Sequence, residues 1–129
     1  MRKAFLAPAI LALLLTTSAA PADKHVKADL APNGATGVTG FVQITQLPKG
    51  GSVVNVQARG LEPGKVYASF YYESSDCSAG HDLLATFTAA ADGTGEAQGK
   101  IDDDLDEVGS VSVRVGPDYG DLLACAKIH

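Results

Sequence analysis

Along this chain the apolar positions recur every second residue more often than every third or fourth. Within 53–58, Val54, Val56 and Ala58 share one parity while Asn55 and Gln57 take the other, which is the period of a half-buried strand. The same alternation predicts strands over 38–47, 66–72, 84–89 and 111–115, and a short apolar strand closes the chain at 122–128. Turn formers separate them: Pro48-Lys49-Gly50-Gly51, Glu62-Pro63-Gly64, Asp92-Gly93 and Gly116-Pro117-Asp118. Helical stripes are absent beyond a turn or two. Short strands at regular spacing predict an all-β fold, an antiparallel Greek-key β-sandwich or barrel.

The first residues break this pattern. Arg2 and Lys3 precede an uncharged apolar run that ends at Leu15, and small residues continue to Ala22. A basic start, an apolar centre and a small-residue end make a secretory signal, too short to span a bilayer comfortably. Cleavage is expected after Ala22, since Pro21 blocks a cut immediately before it, with Ala19 as the rival site. The chain then divides into a signal peptide 1–22, an N-terminal tail 23–34 and one domain 35–129. This implies an exported protein, periplasmic or extracellular, without a transmembrane anchor in its mature form.

Charge and cysteine usage narrow the chemistry. The 129 residues hold 10 basic and 15 acidic side chains, a net charge of −5, and loss of Arg2 and Lys3 leaves 8 against 15, a net −7. No lysine or arginine run offers a stripe for a phosphate backbone, which excludes a nucleic-acid partner. In an export compartment the single pair, Cys77 and Cys125, reads as a disulfide, with two buried thiols as the alternative. Three histidines and two cysteines leave little for a metal site that needs three or four nitrogen or sulfur ligands.

Several short anchors carry a family likeness. Gly60-Leu61-Glu62-Pro63-Gly64, a strand ending at Glu73, then Asp76-Cys77 resembles the copper/zinc superoxide dismutase stretch from a Gly-Leu-x-Pro-Gly turn, through the His-x-His strand, to a disulfide cysteine. Residues 84–93, with Thr88-Ala89 and Asp92-Gly93, and residues 109–115 resemble two later segments in the right order. Leu123-Ala124-Cys125-Ala126-Lys127-Ile128 is similar to the closing Leu-Ala-Cys-Gly-Val-Ile strand with its second disulfide cysteine. The likeness spans nearly the whole mature chain and implies a superoxide dismutase-like fold.

It does not bring the metal ligands. In that family copper is held by the two histidines of His-x-His, a bridging histidine and a later one. Here the strand reads Ser69-Phe70-Tyr71-Tyr72-Glu73, so the ligand positions fall on Phe70 and Tyr72 or on Ser69 and Tyr71. Alternation with Val66 and Ala68 inward favours Ser69 and Tyr71 pointing out. The later copper position corresponds to Arg114, whose guanidinium stays protonated and repels a cation. The family's substrate-guiding arginine falls on Leu122, and the long zinc loop is mostly missing between Cys77 and Leu84. Only His81 stands near the bridging position.

Other chemistry is sparse. Cleavage after Ala22 would start the chain Asp23-Lys24-His25, a terminal amine, two amides and an imidazole that suit square-planar copper(II), against the plainer reading of His25 as a polar tail residue. Asp102-Asp103-Asp104-Leu105-Asp106-Glu107 concentrates carboxylates without the glycine and spacing of an EF-hand, and reads as a solvated loop. Tyr71, Tyr72 and Glu73 form a candidate contact surface, set against ordinary strand packing. No nucleophile elbow accompanies His81-Asp82. The sequence therefore points to a non-catalytic binding or structural module with no required cofactor. Its alternative is a copper-binding or residual dismutase protein using His25, His81 or His129. A protein partner or a homodimer fits either.

Overall fold

Residues 24–129 are described by a computed structural model, in which eight strands and one short 3-10 turn follow one another. The strands are β1 His25–Pro32, β2 Thr39–Gln46, β3 Ser52–Arg59, β4 Val66–Tyr72, β5 His81–Thr88, β6 Gly95–Ile101, β7 Ser110–Val115 and β8 Leu122–Lys127, with the turn at Leu105–Glu107. The expected signal peptide 1–22 and Asp23 lie outside the described residues.

All neighbouring strands run antiparallel, in the spatial order β5-β4-β7-β8-β1-β2-β3-β6. The connections from β3 to β4 and from β6 to β7 are the ones that do not join spatial neighbours. The terminal strands of that order, β5 and β6, lie side by side and nearly close the sheet into a barrel. Side chains seal this seam. Phe87 covers Gly95 and Leu84 covers Gly99, so closely that a Cβ would fall 2.5 Å from the Phe87 ring and 2.9 Å from Leu84 Cδ1.

The interior is filled from alternate positions of each strand. Val42, Ile44, Val54, Val56, Val111, Val113, Ala124 and Ala126 are fully buried there, and β-branched residues dominate because they pack well on a pleated surface. At ~25 cal/mol per Å² of buried apolar surface this core is the main source of stability.

The expected tail 23–34 is corrected. His25–Leu30 pairs with β2 and Ala31–Pro32 with β8, so β1 sits mid-sheet and joins the two halves. Its Val26, Ala28 and Leu30 turn toward the core while His25, Lys27 and Asp29 are exposed. β6, also unanticipated, completes the other side through Ala97 and Ile101.

Candidate functional site

β4 is covered on both faces. Tyr67 and Tyr71 pack with the barrel interior, whereas Ala68, Phe70 and Tyr72 form a second cluster outside it with Cys77, Leu122 and Cys125. What covers the outer face is the loop after β4. Ser74 Oγ accepts the amides of Ser78 at 3.2 Å and Ala79 at 3.0 Å, and Glu73 N donates to Gly80 O at 3.1 Å, which turns the chain back sharply. This presses Cys77 onto β7, its amide donating to Ser110 Oγ at 2.9 Å. The Cys77–Cys125 disulfide then ties the loop to β8.

Arg114, opposite Ala68 on β7, fastens that arrangement. Its Nε donates to the Tyr72 hydroxyl at 2.9 Å, one terminal nitrogen to Gly120 O at 2.9 Å and the other to Cys77 O at 3.2 Å. One guanidinium thereby links β4, the disulfide loop and the β7–β8 connection, which a planar fork of donors does well. The Tyr72 hydroxyl also lies 2.8 Å from Ser112 Oγ, so a fully buried phenol is satisfied on both sides.

Tyr119, from the β7–β8 connection, completes the cluster. Its ring stacks on His81 with centroids 4.1 Å apart, meets Phe70 edge-on at 4.8 Å and receives the Arg114 guanidinium at 3.8 Å. Burial, then the contact with Tyr72, pushes the Tyr119 phenol above the usual tyrosine range, against the opposing influence of Arg114. It stays protonated at neutral pH. Sequence reasoning missed Tyr119; an aromatic residue inside a Gly-Pro-Asp-x-Gly turn was the available signal.

Of the two registers for the ligand positions, Phe70 and Tyr72 are the pair that face this outer cluster with Arg114. The expectation that Ser69 and Tyr71 point outward is corrected: Ser69 is fully buried, donating to Ser112 O at 2.8 Å, and Tyr71 leans on the barrel core. Alternation could not choose because both faces of β4 are covered. The contact surface built on Tyr71, Tyr72 and Glu73 is corrected with it. Tyr72 is only 1% exposed and Tyr71 half-buried, leaving Glu73 alone on the surface.

The donor set does not fit copper. Phe70 has no donor atom, the Tyr72 hydroxyl is engaged, and Arg114 carries a permanent charge. His81 is the only imidazole of the cluster, and the other two histidines are occupied elsewhere. His25 Nδ1 lies 2.9 Å from Thr45 Oγ1, and His129 Nδ1 lies 2.8 Å from Val108 O. Among the described residues the metal-capable grouping is Asp104, Asp106 and Glu107, with no histidine. Its oxygens serve the local fold. Asp104 Oδ1 accepts Gln46 Nε2 and the Gly51 amide, both at 2.9 Å, and Glu107 Oε1 accepts the Asp104 amide at 2.7 Å. That run is thus a solvated connection between β6 and β7, as expected, with a 3-10 turn built into it.

A second group of carboxylates gathers at the same end of the barrel. Burial first, then Glu107, Asp82, Glu73 and Asp102, holds the Asp103 carboxyl above its ordinary range. Burial and the charges of Asp103, Asp82 and Asp102 likewise raise the Tyr71 phenol. No protein-family model matches the chain, and no curated protein matches it significantly.

Proposed function

We propose that this chain is an exported, disulfide-tied barrel of the copper/zinc superoxide dismutase-like type that has no dismutase activity and acts as a non-catalytic binding or structural module. One observation carries the reading. Where the resemblance puts copper, Phe70, Tyr72 and Arg114 form a closed aromatic and guanidinium cluster whose donors point into the protein. Redox cycling of copper needs several nitrogen ligands and an open position, and this cluster supplies neither.

The strand order supports the Greek-key part of the proposal. β7 pairs with β4, β4 pairs with β5, and β5 packs beside β6 without pairing to it, an order around the nearly closed barrel compatible with that motif. The pairing of Cys77 with Cys125 agrees with the same resemblance.

The test uses the mature protein purified from the export compartment, loaded with copper and zinc, dialysed, and assayed for metal and for superoxide disproportionation. Near-zero metal and background activity are expected. A stoichiometric, tightly held copper would overturn the reading in favour of the copper-binding alternative, and deleting 23–25 would then show whether the terminal amine and His25 hold it. N-terminal sequencing of the same sample is expected to begin at Asp23.

A further inference from the structure

We infer that the surface formed by Leu83, His81 and Tyr119 over the buried Phe70, with Val66 further along β4, docks a protein segment that presents apolar side chains beside lysine or arginine. This rests on the binding-module reading and gives that reading a surface and a partner chemistry.

The apolar part comes from three side chains. The large hydrophobic residues left exposed among those described are Val66 at 38%, Leu83 at 53% and Tyr119 at 38%. Exposed apolar residues are ordinary when scattered, but these three share one face. Leu83 is the cross-strand partner of Phe70, and Tyr119 meets the Phe70 ring edge-on at 4.8 Å. Val66 precedes Ala68 and Phe70 by two and four residues on the same side of β4, because side chains of one parity share a face. His81, stacked on Tyr119, extends the surface past Tyr72.

Apart from Arg114 and Lys65, the charge around that surface is negative. Glu73 lies against Gly80, next to His81 in the chain, and Asp76, Asp118 and Asp121 are exposed in the loops that border it, whereas Asp82, the partner of Tyr71, belongs to the other face. The nearby cations are turned away. All three Arg114 nitrogens donate inward, and Lys65 leans toward Tyr67, whose ring packs with the barrel core. A second copy of this chain would set one acidic rim against another, whereas a cationic, apolar segment gains attraction at the rim and burial at the centre.

The probe is a synthetic peptide of alternating lysine and leucine, added to the isotope-labelled mature protein and followed by amide chemical shifts. Its controls are a glutamate–leucine and a lysine–serine peptide of the same length. The lysine–leucine peptide is expected to bind best and to shift residues 66–70, 81–83 and 118–120. Leu83→Ser, an exposed change that leaves the core alone, is expected to weaken binding about tenfold. Asp118→Lys with Asp121→Lys is expected to weaken it further at low salt. Shifts confined to 102–107, equal binding of the lysine–serine peptide, or unchanged affinity in Leu83→Ser would each sink this surface while leaving the binding-module reading standing. No binding by the lysine–leucine peptide, or a homodimer of the free protein that Leu83→Ser dissociates, would also overturn it. Failure of the underlying reading registers separately, as retained copper or dismutase activity.

Discussion

Arg114 and Tyr72 hold one another across β7 and β4: the guanidinium Nε donates to a phenol oxygen 2.9 Å away whose residue is 1% exposed. The same guanidinium reaches two backbone carbonyls in two different loops. Arg114→Ala is therefore expected to cost about 3 kcal/mol, since it removes three charge-assisted hydrogen bonds and leaves a buried phenol and a carbonyl short of partners. Arg114→Lys should recover little, because an ammonium cannot span three acceptors in a plane. Urea unfolding measures both, and a loss below about 1 kcal/mol for Arg114→Ala would contradict the clamp.

The disulfide makes a separate contribution. Cys77 and Cys125 close a loop of 48 residues, and on the chain-entropy model its removal by paired serine substitutions costs about 4 kcal/mol. Thermal denaturation of the double variant is the measurement. Within the folded fraction, the His81 and Tyr119 ring signals should lose their stacking shifts, because the loop that precedes β5 is no longer tied to β8.

Two adjacent carboxyls are expected to answer pH in opposite senses. Asp103 has a folded value raised by burial and by its acidic neighbours, so the native state binds its proton more tightly. Its contribution is favourable in acid and is lost as pH rises through that raised value. Asp104 is lowered by the Gln46 side chain and the Gly51 amide, so it stabilises above the ordinary carboxylate range and the benefit is lost as pH falls through its lowered value. Asp103→Asn should raise stability at neutral pH, with the gain fading as pH falls through the raised value toward the ordinary carboxylate range. Asp104→Asn should lower it at neutral pH, with the deficit fading in strong acid. Melting temperatures of both variants across pH test this, and shifts of the same sign would refute it.

Gly40 is fixed by a close approach. Its φ is +146°, and a Cβ there would lie 1.9 Å from the backbone oxygen of Gln57 on β3. Gly40→Ala is expected to cost about 3 kcal/mol or more, because backbone on both strands must move. Gly34→Ala, with φ +61° and open space around its Cβ, should cost only about 1 kcal/mol. Comparable losses at the two sites would show that the close approach is not what matters.

Much of the fold was legible where one face of a strand is wet. β3 alternates cleanly in both sequence and burial, and Val66–Tyr72 was bounded as it stands. β1 was missed although His25-Val26-Lys27-Ala28-Asp29-Leu30 alternates just as well, because its nearness to a signal segment suggested a tail. β6 was missed for a different reason. Gly95 and Gly99 occupy positions where an apolar side chain would announce a strand, and the apolar atoms come instead from Phe87 and Leu84 across the seam. At the site, the lack of histidines was plain from composition, but the face of β4 that matters was not. Period two distinguishes wet from dry, and a strand dry on both sides gives it nothing to distinguish.

The seam between β5 and β6 bears on how this protein avoids sticking to itself. An ordinary open sheet leaves two rows of unpaired amides and carbonyls free to recruit strands from other chains. Here β5 and β6 lie side by side, and the Phe87 and Leu84 side chains fill the gap between them at Gly95 and Gly99. The closeness of that seam depends on two small residues. A bulkier side chain at Gly95 or Gly99 would collide with Phe87 or Leu84, part the seam and leave two open sheet edges in place of one closed wall.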